Sequence, residues 1–345
     1  MLKRKATLQD IADTLKLSRT TISLAIRNHP RISQATKDKI WALAKKMGYE
    51  PDRVARSLAT GRSSLIGVVV PDSTNAYYAE VIRGIEAAAH ANGYSVVLAN
   101  GSYSLDLEAA KIREMIQLRV AGIIAAPAFR SEQPRLDGLW RDLRQRNFPF
   151  VLLNRQLNPP IFHQVSADNV SGTRMAVEAL ASLGHRRVAY LYGKRATVPA
   201  RQRLAAFRRF GRKHHFDGDP YLIEPCDIGT RGGYEACTRL WSRLRRKPTA
   251  IMTLSDAEAF GVLRYLREHN IAVPKDVSVM GFDGFEQAEF SLVSLSTVIT
   301  PMHEIGAQSV EILNQLLKKS FAPQSIVLPV RLMLRESVGP ARGQS

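Results

Sequence analysis

The sequence is short of cysteine, of acidic residues and of long apolar runs, and each shortage closes off a class of protein. Only Cys226 and Cys237 occur in 345 residues. Two are too few for a disulfide framework or a thiolate metal cluster, so both read as buried thiols in a reducing compartment. The eight histidines are scattered, without metal-ligand spacing. No Gly-x-Gly-x-x-Gly follows the first strand pattern, and neither a Walker loop nor a nucleophile elbow is present, which argues against an enzyme and implies no cofactor. No apolar stretch is long enough to span a bilayer. The charged start, Met1-Leu-Lys-Arg-Lys5, leads into an amphipathic segment and not into the apolar centre of a secretory signal. A cytoplasmic protein with no membrane partner is expected.

Against 31 Asp and Glu stand 49 Lys and Arg, for a formal net charge of +18. Such an excess points to a polyanionic partner. It is spread along the chain. The runs Phe207-Arg-Arg209 and Arg243-Leu-Arg-Arg-Lys247 fall in later helical patterns and read as solvated helix faces.

The first sixty residues carry helical periodicity only. Thr7 opens a helix with a capping box to Asp10, and Leu8, Ile11, Ala12 and Leu15 share one face. Ser18 caps a second helix with Ile22, Ala25 and Ile26 inward. Ser33 caps a third, with Ile40, Leu43, Ala44 and Met47 inward and Gly48 as its stop. The stretch Thr7 to Ile26 reads as a helix-turn-helix, a motif whose second helix presents side chains to base edges in duplex DNA. Residues 51–61, from Pro51 to Gly61, form a separate short helical pattern. At two to three turns it is too short to be stable alone.

From Leu65 the pattern changes. Apolar runs at Leu65–Val70, Val96–Leu98, Gly122–Ala126, Phe150–Leu153, Val188–Tyr192, Ala250–Thr253 and Val277–Gly281 are mostly separated by helix-length amphipathic stretches. That alternation predicts parallel sheets covered by helices. It falls into two comparable blocks, near 64–160 and 163–290, so two α/β lobes with a cleft between them are expected.

With these elements in order, the chain resembles the lactose-repressor/galactose-repressor (LacI-type) family of bacterial transcription regulators. The matching motifs are the helix-turn-helix, Arg31-Ile-Ser33, Gly48-Tyr-Glu-Pro51, the segment from Arg53 to Ala59, Ile66-Gly-Val-Val-Val-Pro71, Gly184-His185, Gly281-Phe-Asp283 and Leu334-Arg-Glu-Ser337. Two positions depart from the family pattern. Lys16 stands where a turn glycine is frequent, at a cost of about 1 kcal/mol if its φ is positive. Leu24 stands where a polar residue is frequent, which favours an apolar touch on a thymine methyl.

The resemblance implies an all-α helix-turn-helix domain (1–50), a hinge helix (51–61) and a two-lobed, periplasmic-binding-protein-like α/β effector and dimerisation domain (62–340). The first lobe is expected at about 62–160 plus 292–322, the second at about 163–290 plus 324–338. Candidate DNA contacts are Thr7, Ser18, Arg19, Thr20, Ser23, Leu24 and Arg27 in the first domain, and Arg53, Ala55, Arg56 and Leu58 in the hinge. Arg19 suits guanine O6 and N7, or else a phosphate. Leu58 of two subunits is implied as a minor-groove wedge. A homodimer on a pseudo-palindromic operator follows, and the short tail after Ser337 has no leucine heptad to join two dimers.

The resemblance also implies a small-molecule effector between the lobes, with Tyr77, Tyr78, Asn154, Arg203, Ile228, Asp256 and Asp283 as candidate contacts. The tyrosines suit stacking on a sugar or a planar base, or ordinary packing. Arg203 and Asp283 suit polyol hydroxyls. Asp256 fits either the pocket or a helix cap. A sugar or sugar derivative is the first expectation and a nucleobase-like ring the second. Repression is implied over activation. A periplasmic solute receptor shares the two lobes but would have no use for a helix-turn-helix.

Overall fold

A computed structural model describes residues 6–26, 28–49, 63–127, 134–155, 160–194, 197–319 and 321–342. The hinge pattern with Arg53, Ala55, Arg56 and Leu58, and also Arg27, lies outside the described residues. The chain divides into two units, residues 1–64 and 65–345.

The first unit holds α1 (Leu8–Leu15), α2 (Arg19–Ile26) and α3 (Gln34–Lys46). Thr7 Oγ1 accepts from the Asp10 amide while the Thr7 amide donates to Asp10 Oδ2 at 2.7 Å, the reciprocal cap its sequence predicts. Lys16 ends α1 at φ 52, so the turn does adopt a left-handed conformation without glycine. Ser18 Oγ accepts from the Thr21 amide at 3.0 Å and starts α2. Ile11, Ala12, Ile22, Ala25, Ile40 and Ala44 close the core of this unit.

The second unit contains two six-stranded sheets. The first is ordered β11-β5-β4-β3-β1-β2, from β1 (Leu65–Val70), β2 (Ser95–Asn100), β3 (Gly122–Ala125), β4 (Phe150–Leu153), β5 (Gln164–Ala167) and β11 (Ser325–Leu328), all parallel. One face is covered by α4 (Ala76–Ala91) and α12 (Met302–Lys318), the other by α5 (Leu105–Gln117) and α6 (Pro134–Gln145). The second sheet is ordered β12-β10-β9-β8-β6-β7. Its strands are β6 (Val188–Gly193), β7 (Ile223–Cys226), β8 (Ala250–Thr253), β9 (Ser278–Asp283), β10 (Ser296–Ile299) and an antiparallel β12 (Arg331–Met333). The helices α7 (Asn169–Ser182) and α8 (Val198–Lys213) cover one face, α9 (Thr230–Arg243) and α10 (Asp256–Glu268) the other. A short α11 (Gln287–Phe290) precedes β10.

The strand pairing corrects the expected lobe limits. Residues 164–167 and 325–328 pair in the first sheet, and 296–299 in the second, each opposite to the sequence assignment. The chain therefore crosses between lobes after β5, after β10 and after β11. These strands are four residues long and carry buried polar side chains such as Gln164, Ser296 and Thr297, so no apolar run announces which sheet they join.

Glycine sets how closely α4 and α12 approach. A Cβ on Gly306 would stand 2.1 Å from the Val81 carbonyl oxygen, and one on Gly84 2.0 Å from that of His303. Both contacts are with backbone, which cannot swing away. Gly306→Ala should force the helices apart and lower stability by about 1–3 kcal/mol, read as an earlier urea midpoint with the slope unchanged.

Candidate nucleic-acid and effector sites

The outer side of the helix-turn-helix is polar. Thr7, Ser18, Arg19 and Thr20 are exposed, while Ser23 and Leu24 are half-buried. Arg19 and Thr20 open α2, so their side chains project from its first turn beside unpaired backbone amides that favour an anion. Ile22 and Ala25, the buried residues of α2, hold it against the core from the opposite side. The surface offers what major-groove reading requires: hydrogen-bonding side chains at a helix start on a rigid three-helix base.

The second site lies where the carboxyl ends of both sheets face each other, the usual ligand position in open α/β sheets. It forms a cavity of about 90 Å³ that opens to solvent. Tyr77 and Tyr78 reach it from the start of α4 and Asn154 from the end of β4. Arg203 comes from α8, Ile228 from the turn after β7 and Asp283 from the end of β9. Six of the seven predicted contacts thus meet in one cleft.

Arg203 is the centre of this cleft. It is 5% exposed, and its guanidinium makes three bonds in a plane: Nε to Asn169 Oδ1 at 2.9 Å, Nη1 to the Leu254 carbonyl at 2.6 Å and Nη2 to Asp283 Oδ1 at 3.0 Å. The Phe282 ring lies 3.5 Å from its central carbon, an orienting cation–π contact. Burial pushes the Asp283 carboxyl above the usual carboxylate range, and the facing Arg203 pulls against that shift. Asp283 and Asn154 both hold positive φ, 107° and 55°, a strained backbone for a side-chain-bearing residue. Asp283 Oδ1 accepts from Arg203, so the pair is fixed in one arrangement.

The Tyr77 hydroxyl donates to Asn154 Oδ1 at 2.8 Å, and burial together with Asp283 raises its pKa far above the neutral range. It is a neutral donor at any physiological pH. Its ring meets Tyr78 edge-on, centroids 5.2 Å apart, so together they form a corner wall.

Asp256 is the exception. It is fully buried and does not line the cleft; Oδ2 accepts from the amides of Gly284 at 2.8 Å and Phe285 at 2.7 Å, and Oδ1 accepts from Thr297 Oγ1 at 2.6 Å. Nor is it the cap of α10, because Ser255 Oγ takes that place. Asp256 instead braces the turn that follows Asp283. Burial, the largest influence, pushes its carboxyl up to about 8. Its folded pKa thus exceeds the unfolded value, and its contribution is fully present below about pH 4 and lost as pH rises through about 8. Stability should fall between about pH 4 and about pH 8 and level off above that. Asp256→Asn mimics the protonated acid and should flatten that slope in urea titrations run across the range.

Sequence reasoning misses Tyr103, Thr197 and Glu258, which also line the cleft. Glu258 is 1% exposed and held by Ser255 Oγ at 2.5 Å and the Gly229 amide at 2.7 Å, and burial raises its pKa against those bonds. All three follow strands by a few residues, the one signal that marks them. Among the described residues no group of His, Cys, Asp or Glu could hold a metal ion, and no helix is long and apolar enough to cross a membrane.

Comparison with known proteins fits this geometry. Residues 7–52 match the description "Bacterial regulatory proteins, lacI family", and residues 177–338 match "Periplasmic binding protein-like domain". The transcriptional repressor PurR of Escherichia coli O139:H28 is 31% identical over 342 residues, which cover 98% of either chain. The chain belongs to the LacI family. A solved Lac repressor dimer, bound to operator and the anti-inducer ONPF, superposes with a TM-score of 0.88 at 26% identity, over 97% of this chain and 100% of that one. The complex of the regulator CelR with cellobiose gives 0.72 at 26% identity, over 96% and 99%. This LacI-family member is a DNA-binding transcriptional regulator of a non-enzymatic family.

Proposed function

We propose that this LacI-family regulator is a homodimeric repressor acting in the cytoplasm on a pseudo-palindromic operator. A small polyhydroxylated molecule, a sugar or sugar derivative, controls its operator affinity from the interlobe cleft. The observation that carries the ligand class is the Arg203–Asp283–Asn169 cluster, a buried donor and acceptor array set against an aromatic wall. Adjacent hydroxyls each donate and accept, so a carboxylate beside a guanidinium engages a diol through charge-assisted bonds. The neighbouring CelR structure holds cellobiose in the same fold. The lobes are joined at the crossings after β5, β10 and β11, and a ligand that bonds both lobes at once would favour a closed cleft over an open one, the requirement for a population shift.

A flat nucleobase-like ring is the second reading, favoured by the Tyr77–Tyr78 corner and by Tyr103 in the same wall. A thermal-shift screen with sugars, sugar acids and purines separates the two. A true effector at about 100 times its Kd stabilises the native state by about 2.7 kcal/mol and must also change operator retention in a gel shift. Purine binding without any sugar response would replace the first reading by the second; silence from all three classes would remove both.

A further inference from the structure

Two basic runs that read in sequence as solvated helix faces are brought together by the fold at one rim of the second lobe. Arg208, Arg209, Arg212 and Lys213 are exposed on the last turns of α8, and Arg245 and Arg246 are exposed in the turn leading to β8. The start of β6 joins them. The Asp217 amide, just past α8, donates to the Arg186 carbonyl at 2.7 Å, and Arg187 Nε donates to the Arg246 carbonyl at 3.0 Å. The rim is thus the amino-terminal edge of the second sheet, opposite the carboxyl edge that forms the effector cleft.

The acidic groups of this region are already committed. Asp217 and Asp219 both bind the buried Arg187, the latter at 2.8 Å, and the buried Glu224 binds Arg239 and Arg243, each at 2.8 Å. Among the described residues, the six outer cations have no carboxylate within ion-pair distance. Like charges gathered this way repel each other and raise local potential, which is tolerable in water but becomes favourable beside a polyanion.

We propose that this rim is a second, sequence-independent binding surface for duplex DNA, distinct from the helix-turn-helix. The cations are mostly arginine, whose planar fork bonds phosphate oxygens bidentately. On one long DNA, a chain bound at its operator keeps the flanking duplex at high effective concentration, so a weak second surface suffices there. Its role would be to retain or bridge a second DNA segment.

The test uses the full chain. Biotinylated operator duplex on beads is loaded with protein, washed, and offered a labelled duplex without operator sequence at about 50 mM salt, with and without competing vesicles of anionic phosphatidylglycerol. The labelled duplex should be captured, and capture should fall steeply as salt rises, as expected when several phosphates are neutralised. The variant Arg212→Ala/Lys213→Ala/Arg245→Ala/Arg246→Ala should lose about tenfold or more of that capture while its retention on operator is unchanged, which also reports that it is folded. Capture equal in the variant and the parent overturns the proposal. So does an absence of capture, or binding that the vesicles claim while duplex does not.

Discussion

Arg203→Ala should leave a regulator that still binds its operator but no longer answers its effector. It should also cost about 3–5 kcal/mol of stability, because removing one member of a buried ion pair strands the other. The pair is closed to solvent, with both side chains 6% exposed, so screening does not soften the loss. Asp283 keeps neither its counter-ion nor its way out, and Asn169 and the Leu254 carbonyl lose donors as well. Loss of stability alone would not establish a ligand role. Arg203→Met/Asp283→Asn separates the two, since a neutral replacement of similar volume is often close to neutral in stability. The double variant should recover much of the denaturation midpoint of the parent and remain deaf to effector in gel-shift titrations. A normal effector response in either variant would take Arg203 out of the binding site.

How far such a site is legible in sequence depends on which force writes it. Strands β1 and β4 announce themselves because both of their faces are covered, so Leu65–Val70 and Phe150–Leu153 are continuous apolar runs. Strands β5 and β10 do not, because their buried side chains are satisfied by partners far along the chain. Gln164 Nε2 donates to Ser325 Oγ at 2.9 Å, and the Ser296 amide donates to Ser337 Oγ at 2.7 Å. Nothing local distinguishes such residues from a polar loop, and the lobe limits are misplaced at those strands.

The cleft shows the same division. Arg203 and Asp283 are found through family motifs, and the fold brings them to 3.0 Å. Asp256 and Glu258 are two residues apart in the first turn of α10, yet one turns back to brace the β9 turn and the other reaches the cleft. Helical spacing gives the angle between two side chains but not the absolute direction of either; that is set by how α10 packs against β9, with Asp256 Oδ1 lying 2.2 Å from where a Cβ on Gly281 would stand. Only the tertiary contact decides which acid faces the cleft.

The second large effect belongs to the other end of the chain. Arg19→Ala/Thr20→Ala should reduce operator affinity by about a hundredfold or more, since each specific base contact is worth roughly 1–3 kcal/mol. Both residues are exposed and neither contributes to the core that Ile11, Ile22 and Ile40 close, so helical content and melting should be unchanged. Ser18, which caps α2 through the Thr21 amide, is left intact for the same reason. What distinguishes base reading from phosphate anchoring is the comparison between DNA sequences. If Arg19 reads a base, the variant loses its preference for operator over random duplex while random-duplex affinity barely moves. If Arg19 only holds phosphate, affinity for both duplexes falls together and the slope of log K against log salt decreases by about one unit per lost contact. Filter binding at three salt concentrations on the two duplexes resolves the outcomes, and an unchanged operator preference would move sequence reading away from the start of α2.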